Sequence, residues 1–551
     1  MRYQLFFLLF LLTFSCKDDP HSDNTVIDEA QTEVDNTKVS ALETDFREFK
    51  VLDSKNLTKE DIWVNVSSQM EDFTEEDYDR LKPLVLEQDI PTLQNHRYDN
   101  KFTYEELVKF YLYRIQKYDR ENELSLNSVI AVSPNVIDEA KQKDREFLNR
   151  KLKHPIFGMP ILLKDNINAA GMATTAGAVA LKDNYTEDAF IVKQLKAQGA
   201  LILGKANLSE WAYFFCGDCP SGYSAIGGQT LNPYGRRVFD TGGSSSGSGA
   251  SVAANFAVAA IGSETSGSIL SPSSQNSVVG LKPTIGLVSR SGIVPISSTL
   301  DTAGPMTKFV IDNAILLDAL VGEDISDSKS IKVDLGLGSY SKNIKETTLK
   351  GKRFAAPLRF MEDSLFIEAV ETIKAQGAEV FVIEEQSLNL PNFLRLLNLD
   401  MKKDLPDYLE NYTNSSIEFR TVDDIIAFNL KDSLRTMPYG QRLFVGISED
   451  KGDADFLEKI KDTLKINGRQ YFNVPMDSLK LNGFLSINNR HAGFAAVAEY
   501  PAITIPMGYT EEGEPKGLTM ISTPLNEKQL LEWAYAYEQA SKERKAPKDY
   551  N

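Results

Sequence analysis

Hydrophobic side chains recur along this chain in two patterns, at helical spacing and in short continuous runs. After Thr103, a typical N-cap residue, apolar side chains begin at Leu107 and Tyr111 and continue at helical spacing. The runs 128–132 and 161–163 are too short for helices and predict buried strands. Helices that alternate with short strands are typical of α/β proteins. The pattern therefore predicts an α/β fold.

Two stretches of similar sequence repeat the step from helix to strand. LKAQGALIL at 195–203 and IKAQGAEVF at 373–381 each predict a helix that stops at a glycine and is followed by a strand. A last helix is predicted over residues 527–541. The segment 385–490 is less regular, charged and mostly helical in pattern, which is typical of insertions that shape substrate clefts. Because no long Pro/Gly linker divides the chain, we expect one large domain over residues 46–551.

The N-terminus has the pattern of an export signal. Arg2 precedes an apolar run, Leu5 to Leu12, which is too short to anchor in a bilayer and is typical of a signal peptide. Cys16 follows a small residue, as at a bacterial lipoprotein processing site, although Phe14 departs from the usual motif. We therefore expect residues 1–15 to be removed and Cys16 to carry the lipid. An uncleaved anchor or a plain secretory signal is the alternative.

The residues after Cys16 are polar and acidic. Lys17-Asp18-Asp19 resembles the charged export tag of surface lipoproteins, and the stretch 16–45 is predicted to be a disordered tether. The predicted location is therefore the bacterial cell envelope, at the outer membrane or the cell surface. A lipid anchor is the only membrane attachment that we expect.

Composition excludes several kinds of function. A net charge of −18 and a pI near 4.9 disfavour nucleic acid as a partner. The four histidines have no ligand spacing, so a zinc site and a Ser-His-Asp triad are poorly supported. Cys216 and Cys219 lack a second pair for a metal knuckle, and form either a local disulfide or two free thiols. No metal or cofactor is predicted.

Two Ser/Gly clusters are the strongest candidates for chemistry. The clusters, 242–248 and 263–268, flank an apolar run of small residues at 250–261, which predicts a helix followed by a strand. A flexible linker would carry no such apolar segment. Loops of this kind can present a nucleophilic serine and backbone N–H groups to a ligand. The alternative is a low-complexity stretch without chemistry.

A nucleophilic serine needs a base, and histidine is scarce here. Lys164 ends the apolar strand 161–163 and is followed by Asp165 and Asn166. A lysine serves as a base when burial lowers its pKa enough to populate the neutral amine. A lysine that simply points to solvent at the end of a strand is the alternative.

At these residues the chain resembles the amidase signature family. Gly158-Met159-Pro160 with Lys164-Asp165 resembles its G-x-P-x-x-x-K-D motif, Gly242 to Ser248 its GGSSGGS motif, and Glu264 to Ile269 its D-x-G-G-S-I motif. Ser244 and Ser268 lie 24 residues apart, the spacing expected for the family. Further blocks match in order from about residue 98 to the C-terminus, namely 280–284, 301–305 and 496–508.

The resemblance implies a Ser-cisSer-Lys triad in one amidase-signature domain, whose mixed sheet is covered by helices on both faces. Ser268 is then the nucleophile, Ser244 relays the proton from a cis peptide, and Lys164 is the base. The oxyanion hole is implied to consist of four consecutive backbone N–H groups, those of Thr265, Ser266, Gly267 and Ser268. No cofactor is implied.

The sequence departs from the family at three positions of this loop. Glu264 replaces the usual Asp, Ser266 replaces a Gly or Asp, and Leu270 stands where many members have Arg. The loss of that arginine puts a clamp for a substrate carboxylate in doubt.

The sequence of these blocks, taken together, is most similar to that of bacterial peptide amidases. We therefore expect a serine amidohydrolase that cleaves a carboxamide, with the C-terminal amide of a short peptide as substrate, through an acyl-enzyme to acid and ammonia. Amidases of other aliphatic or aryl amides are the alternative. A subunit that supplies ammonia to charged tRNA is disfavoured by the export signal and the negative charge. The alternative from another class is a catalytically inactive surface lipoprotein that binds amides or glycans.

Overall fold

The computed structural model describes residues 47–120, 122–148, 153–333 and 339–551, all of which lie in one compact unit. The predicted signal peptide 1–15, the lipidation site Cys16 and the tether 16–45 lie outside the described residues. In the described part of the chain, no helix combines the length and the apolar character needed to cross a membrane.

A mixed sheet of eleven strands runs through the centre of this unit. The strands of the protein, numbered in chain order, are β1 Val129–Val132, β2 Pro160–Lys164, β3 Leu201–Ala206, β4 Tyr223–Ser224, β5 Gly228–Gln229, β6 Ala259–Glu264, β7 Val279–Lys282, β8 Thr302–Thr307, β9 Arg353–Pro357, β10 Glu379–Ile383, β11 Gly483–Ile487, β12 Ala502–Tyr509 and β13 Pro515–Ile521. Strands β4 and β5 form a separate hairpin, and the others are ordered β1-β3-β2-β6-β8-β7-β12-β13-β11-β9-β10.

The described part of the chain also contains eighteen α-helices. They are α1 Lys59–Trp63, α2 Ser67–Met70, α3 Glu75–Val85, α4 Ile90–Tyr98, α5 Tyr104–Tyr118, α6 Val136–Phe147, α7 Phe190–Ala197, α8 Ser246–Ala253, α9 Leu270–Gln275, α10 Val310–Leu320, α11 Ser364–Ala375, α12 Phe393–Asn411, α13 Val422–Leu430, α14 Ser433–Thr436, α15 Arg442–Glu449, α16 Ala454–Leu479, α17 Ala492–Ala498 and α18 Glu527–Ser541.

Two neighbouring parallel strands, β2 and β6, place the candidate residues. Ile161 pairs with Ala259 and Leu163 with Ile261, so both strands run in the same direction. Every residue of both strands is buried, as expected for strands covered on both faces. Because the carboxyl ends of adjacent parallel strands meet at one edge, Lys164 at the end of β2 lies beside the loop that follows β6.

The Ser/Gly cluster 242–248 is a tightly packed element and not a linker. It leads into α8, whose residues are all buried. A Cβ added at Gly247 would lie 2.5 Å from the backbone N and O of Asn207 and from the backbone O of Ser128. The small residues of this cluster therefore allow the helix to lie directly against the neighbouring backbone.

The fold predicted from the sequence, a single large α/β domain with a mixed sheet, is confirmed. Both helix-to-strand units are present, α7 with β3 and α11 with β10. Each helix is followed by a glycine in the left-handed region, Gly199 at φ +91° and Gly377 at φ +89°. The last helix, α18, has the predicted bounds.

Within the segment 385–490 the chain forms helices α12 to α16. Their apolar side chains share a core with residues 211–216, which come from the connection after β3. Cys216 and Cys219 in that connection form a disulfide, with Cα atoms 5.9 Å apart. This core fixes the segment against the part of the chain that carries the Ser/Gly clusters.

Candidate active site

Lys164 is fully buried at the end of β2 and its amine is directed at hydroxyl and carbonyl groups. Its Nζ donates to Ser244 Oγ at 2.8 Å, to Ser263 Oγ at 2.9 Å and to the Ser263 carbonyl oxygen at 3.0 Å. No carboxylate of the described residues pairs with it within ion-pair distance. The solvent-exposed lysine weighed as the alternative is therefore wrong.

Burial changes the protonation of this amine. The loss of water around Nζ lowers the pKa of Lys164 to about 7, although Asp301 and Glu264 nearby act in the opposite direction. A large fraction of the lysine is therefore neutral near pH 7 and can accept a proton.

A second buried lysine, Lys205, differs from Lys164 because it is paired with a carboxylate. Lys205 Nζ lies 2.9 Å from Asp165 Oδ1, and both side chains are almost completely buried. Asp165 also accepts a hydrogen bond from the backbone N–H of Thr175 at 3.1 Å. Asp165 of the K-D motif therefore binds Lys205 and the backbone at Thr175, whereas Lys164 binds Ser244 and Ser263.

Ser244 lies between the lysine and the second Ser/Gly cluster. It is completely buried, and the Gly243–Ser244 peptide bond is cis. Its carbonyl oxygen accepts the backbone N–H of Ser209 at 3.0 Å. The backbone of Ser244 is thus held in place by Ser209, and its hydroxyl accepts a hydrogen bond from the Lys164 amine.

Ser268 lies on the loop between β6 and α9. The backbone N–H of Ser245 donates to the Ser268 carbonyl oxygen at 3.1 Å, which links the two Ser/Gly clusters. The Ser268 side chain is half-buried. Within the described ranges no hydrogen bond to its hydroxyl is found, so the structure brings Lys164 and Ser244 into contact and leaves the Ser268 hydroxyl open.

The loop around Ser268 also presents unused backbone donors. In the part of the chain that the structure describes, the N–H groups of Thr265, Ser266, Gly267 and Ser268 donate to no backbone or side-chain acceptor. Gly267 has φ +97°, and a Cβ there would lie 3.1 Å from Asn489 Nδ2. The loop therefore has the free donors that an oxyanion hole requires.

Two of the three departures from the family motif have structural explanations. Glu264 Oε2 accepts the backbone N–H groups of Ile269 at 2.7 Å and Leu270 at 3.0 Å, so this carboxylate holds the first turn of α9 in place. Leu270 is completely buried in an apolar cluster with Tyr471 and Phe472. Nothing in the structure explains Ser266, which is half-buried.

Three further residues of this site were not predicted from the sequence. Ser263 accepts from Lys164 Nζ and from Asn166 Nδ2, the latter at 2.9 Å. Asp301 accepts from Thr265 Oγ1 at 2.5 Å, and burial raises the pKa of Asp301 to about 6. Ser263 lies in the Ser/Gly cluster 263–268, Asn166 follows Lys164-Asp165, and Asp301 lies in the matching block 301–305. The segments were therefore recognised from the sequence, but the contacts of these residues were not.

A cavity of about 500 Å³ adjoins the loop that precedes Ser268. Asn166, Ser263 and Thr265 form its wall on the side of the candidate triad. The other walls come from residues 290–302, residues 326–328 and α12. A pocket of this size holds a small organic ligand or short peptide.

The histidines in the described part of the chain, His96, His154 and His491, take no part in this constellation. His491 is buried, with Nε2 2.7 Å from Glu385 Oε1 and Nδ1 2.6 Å from Ser486 Oγ. Ser486 is itself completely buried, so this Ser-His-Glu arrangement has no access for a substrate. It fixes the turn that leads into α17, beside Gly267.

Comparison with known proteins gives one consistent result. The family model described as Amidase matches residues 106–444. A probable amidase of Arabidopsis thaliana is 36% identical over 473 residues, which are 82% of this chain and 89% of that protein. An amidase family protein from Bacillus anthracis is 38% identical in sequence to this chain. Its crystal structure matches with a TM-score of 0.85 over 90% of this chain and 100% of that one. The peptide amidase from Stenotrophomonas maltophilia is 37% identical, with a TM-score of 0.78 over 84% of this chain and 98% of that one.

Proposed function

This chain belongs to the amidase family and is an amidase hydrolase, and from that premise we propose that Ser268, Ser244 and Lys164 are its catalytic triad. The observation that carries the proposal is the 2.8 Å hydrogen bond between Lys164 Nζ and Ser244 Oγ. Among the described residues this buried lysine has no carboxylate partner and contacts Ser244 instead. The next residue, Ser245, donates its backbone N–H to the carbonyl oxygen of Ser268, whose hydroxyl is open.

The proposed reaction is acyl transfer through Ser268. Ser268 Oγ attacks the amide carbonyl carbon as its proton passes to Ser244 Oγ, whose own proton passes to the neutral Lys164 amine. The developing oxyanion accepts hydrogen bonds from the free backbone N–H groups of residues 265–268. When the tetrahedral intermediate collapses, the proton returns through Ser244 to the leaving nitrogen and ammonia departs. Water then attacks the acyl-enzyme by the same path and releases the acid.

The pKa of Lys164 predicts the pH dependence of turnover. Below a pH of about 7 the amine is mostly protonated and cannot accept a proton, so activity is low. We expect kcat to rise as the pH passes through about 7 and to level off above it. The measurement is kcat from mildly acidic to alkaline pH.

The control for this profile is Lys164→Ala. Since the reference pKa of histidine is about 6.5, the midpoint alone does not identify the base. The residual activity of Lys164→Ala should lose the rising limb. A variant that keeps the same limb would show that another group controls the reaction.

We propose that the substrate is the C-terminal amide of a short peptide, with internal peptide bonds spared. The likeness to the Stenotrophomonas maltophilia peptide amidase supports this choice, as does a cavity large enough for more than a simple amide. When ammonia is the leaving group, the whole peptide lies on the acyl side of the scissile bond.

A substrate panel tests the peptide assignment. Amidated dipeptides and tripeptides should be turned over faster than simple aliphatic or aryl amides, since they fill the cavity beside the triad. Ammonia or amine release is measured on each. If aliphatic or aryl amides react far faster than every amidated peptide, the enzyme is an amidase of another class of amides.

We further propose that the enzyme acts in the bacterial cell envelope, anchored by a lipid on Cys16 at the outer membrane or the cell surface. The apolar run and the small residue before Cys16 support this location. Intact-mass analysis of the protein purified from its native membrane should show a diacylated or triacylated Cys16. A soluble mature chain that begins at another residue would contradict the proposal.

A further inference from the structure

The cavity beside the loop of Ser268 carries more acidic than basic side chains. Its basic members are Arg290 and Lys403. Its acidic members are Asp301, Asp327, Asp404 and Asp407.

The two cations leave the acidic excess in place. Arg290 forms a two-pronged ion pair with Asp327, through Nε to Oδ2 at 2.9 Å and through its terminal nitrogen to Oδ1. The side chain of Lys403 is 68% exposed and its Nζ lies 3.5 Å from Asp404 Oδ1, so much of its charge is screened by solvent. Arg290 is thus ion-paired with Asp327 in the cavity wall, and its charge also acts on Asp301 and Asp404.

The three remaining carboxylates, Asp301, Asp404 and Asp407, extend from the loop of Ser268 to α12. Asp301 accepts from Thr265 Oγ1 at 2.5 Å and from the backbone N–H of Ser297 at 2.9 Å. The next backbone N–H, that of Ser298, donates to Asp404 Oδ2 at 2.5 Å. Asp407 follows Asp404 three residues later on α12, on the same side of the helix.

The basic residues of the cavity wall do not fully balance the charges of Asp301, Asp404 and Asp407. Burial raises the pKa of Asp404, and the nearby charge of Asp400 adds to that effect. The Asp407 side chain is exposed, and among the described residues its carboxylate makes no ion pair or hydrogen bond. Asn166 also lines the cavity, is 2% exposed, and has a side-chain oxygen without a hydrogen-bond partner in the described chain.

We propose that this cavity is a subsite for a cationic group on the acyl side of the substrate, an alkylammonium or guanidinium that Asp404, Asp407 and Asp301 attract. The inference rests on the proposed function, because a leaving group of ammonia means that only the acyl side can fill the cavity. In a peptide amide, the cation is either the N-terminal ammonium or a basic side chain.

Matched substrate pairs separate these two sources. One pair compares an amidated tripeptide that contains lysine with its norleucine analogue, and a second compares a free with an acetylated N-terminus. A third pair, 6-aminohexanamide and hexanamide, applies the same test outside peptides. In the class of amides that is turned over, we expect the cationic member of at least one pair to have a kcat/KM about tenfold higher, the effect of one partly buried ion pair.

Variants on α12 identify the groups responsible. Asp407→Asn and Asp404→Asn should each reduce the ratio of cationic to neutral substrate several-fold, while Glu410→Gln, an exposed acid on the same helix outside the cavity wall, should leave it unchanged. Equal rates within every pair, or a ratio that Asp407→Asn and Asp404→Asn do not change, would overturn the subsite. If only non-peptide amides react, the peptide assignment fails and the third pair decides the subsite.

Discussion

Replacing Ser268 with alanine is expected to lower kcat about 10⁶-fold, the loss seen when other serine hydrolases lose their nucleophile. In the proposed mechanism Ser268 Oγ forms the acyl-enzyme, and Ser244 cannot take its place because it is completely buried and hydrogen-bonded to Lys164. The backbone N–H groups of the loop remain, so a small residual rate above water is expected. The measurement is kcat on the best amide of the panel.

The melting temperature is the control for this variant. Ser268 Oγ makes no hydrogen bond within the described ranges, and its side chain is half-buried, so its removal should leave the Tm almost unchanged. A variant that folds normally and retains wild-type turnover would show that the nucleophile is another residue.

Replacing Lys164 with methionine is expected to lower kcat about 10⁴-fold or more, since a general base contributes an effect of this size. Because the three side chains form one proton path in the proposed mechanism, the double variant Lys164→Met/Ser268→Ala should be no slower than Ser268→Ala alone. Independent, multiplying losses would show that the lysine acts outside the path of the serine.

Lys205→Met is the matched control for Lys164→Met. Both lysines are completely buried, but among the described residues only Lys205 has an ion-pair partner, Asp165 at 2.9 Å. Removing Lys205 leaves a buried carboxylate uncompensated and should lower the free energy of unfolding by about 3–5 kcal/mol. Methionine at 164 removes three hydrogen bonds but leaves no buried charge uncompensated, so its Tm should fall less than that of Lys205→Met. A large loss of turnover with the smaller loss of stability is therefore specific to Lys164.

Local signals in the sequence were sufficient for much of the fold. Thr103 with Glu106 begins α5 through a capping box, and α18 has the bounds that its apolar spacing predicts. α7 and α11 are each followed by a glycine whose backbone is in the left-handed region, a conformation that favours glycine. This requirement is local to the end of the helix. Such features depend on contacts within a few residues, and a linear pattern contains them.

The candidate site needed the tertiary structure. The motif suggested Lys164 and Ser244, but their contact depends on β2 pairing with β6 across nearly a hundred residues. Asp301 begins the block 301–305 that matches the family, yet its hydrogen bond to Thr265 could not be inferred from spacing. The cavity joins the nucleophile loop to α12, more than a hundred residues later, and no periodicity in the sequence reports on that proximity.

The most direct test of the central claim is labelling with a fluorophosphonate, followed by intact-mass analysis and mapping of the modified peptide. The account predicts one adduct per chain, located on Ser268, formed more slowly in Lys164→Met and absent in Ser268→Ala. An adduct on a different residue, or one that persists in Ser268→Ala, would contradict the assignment of Ser268 as the nucleophile that Lys164 and Ser244 activate.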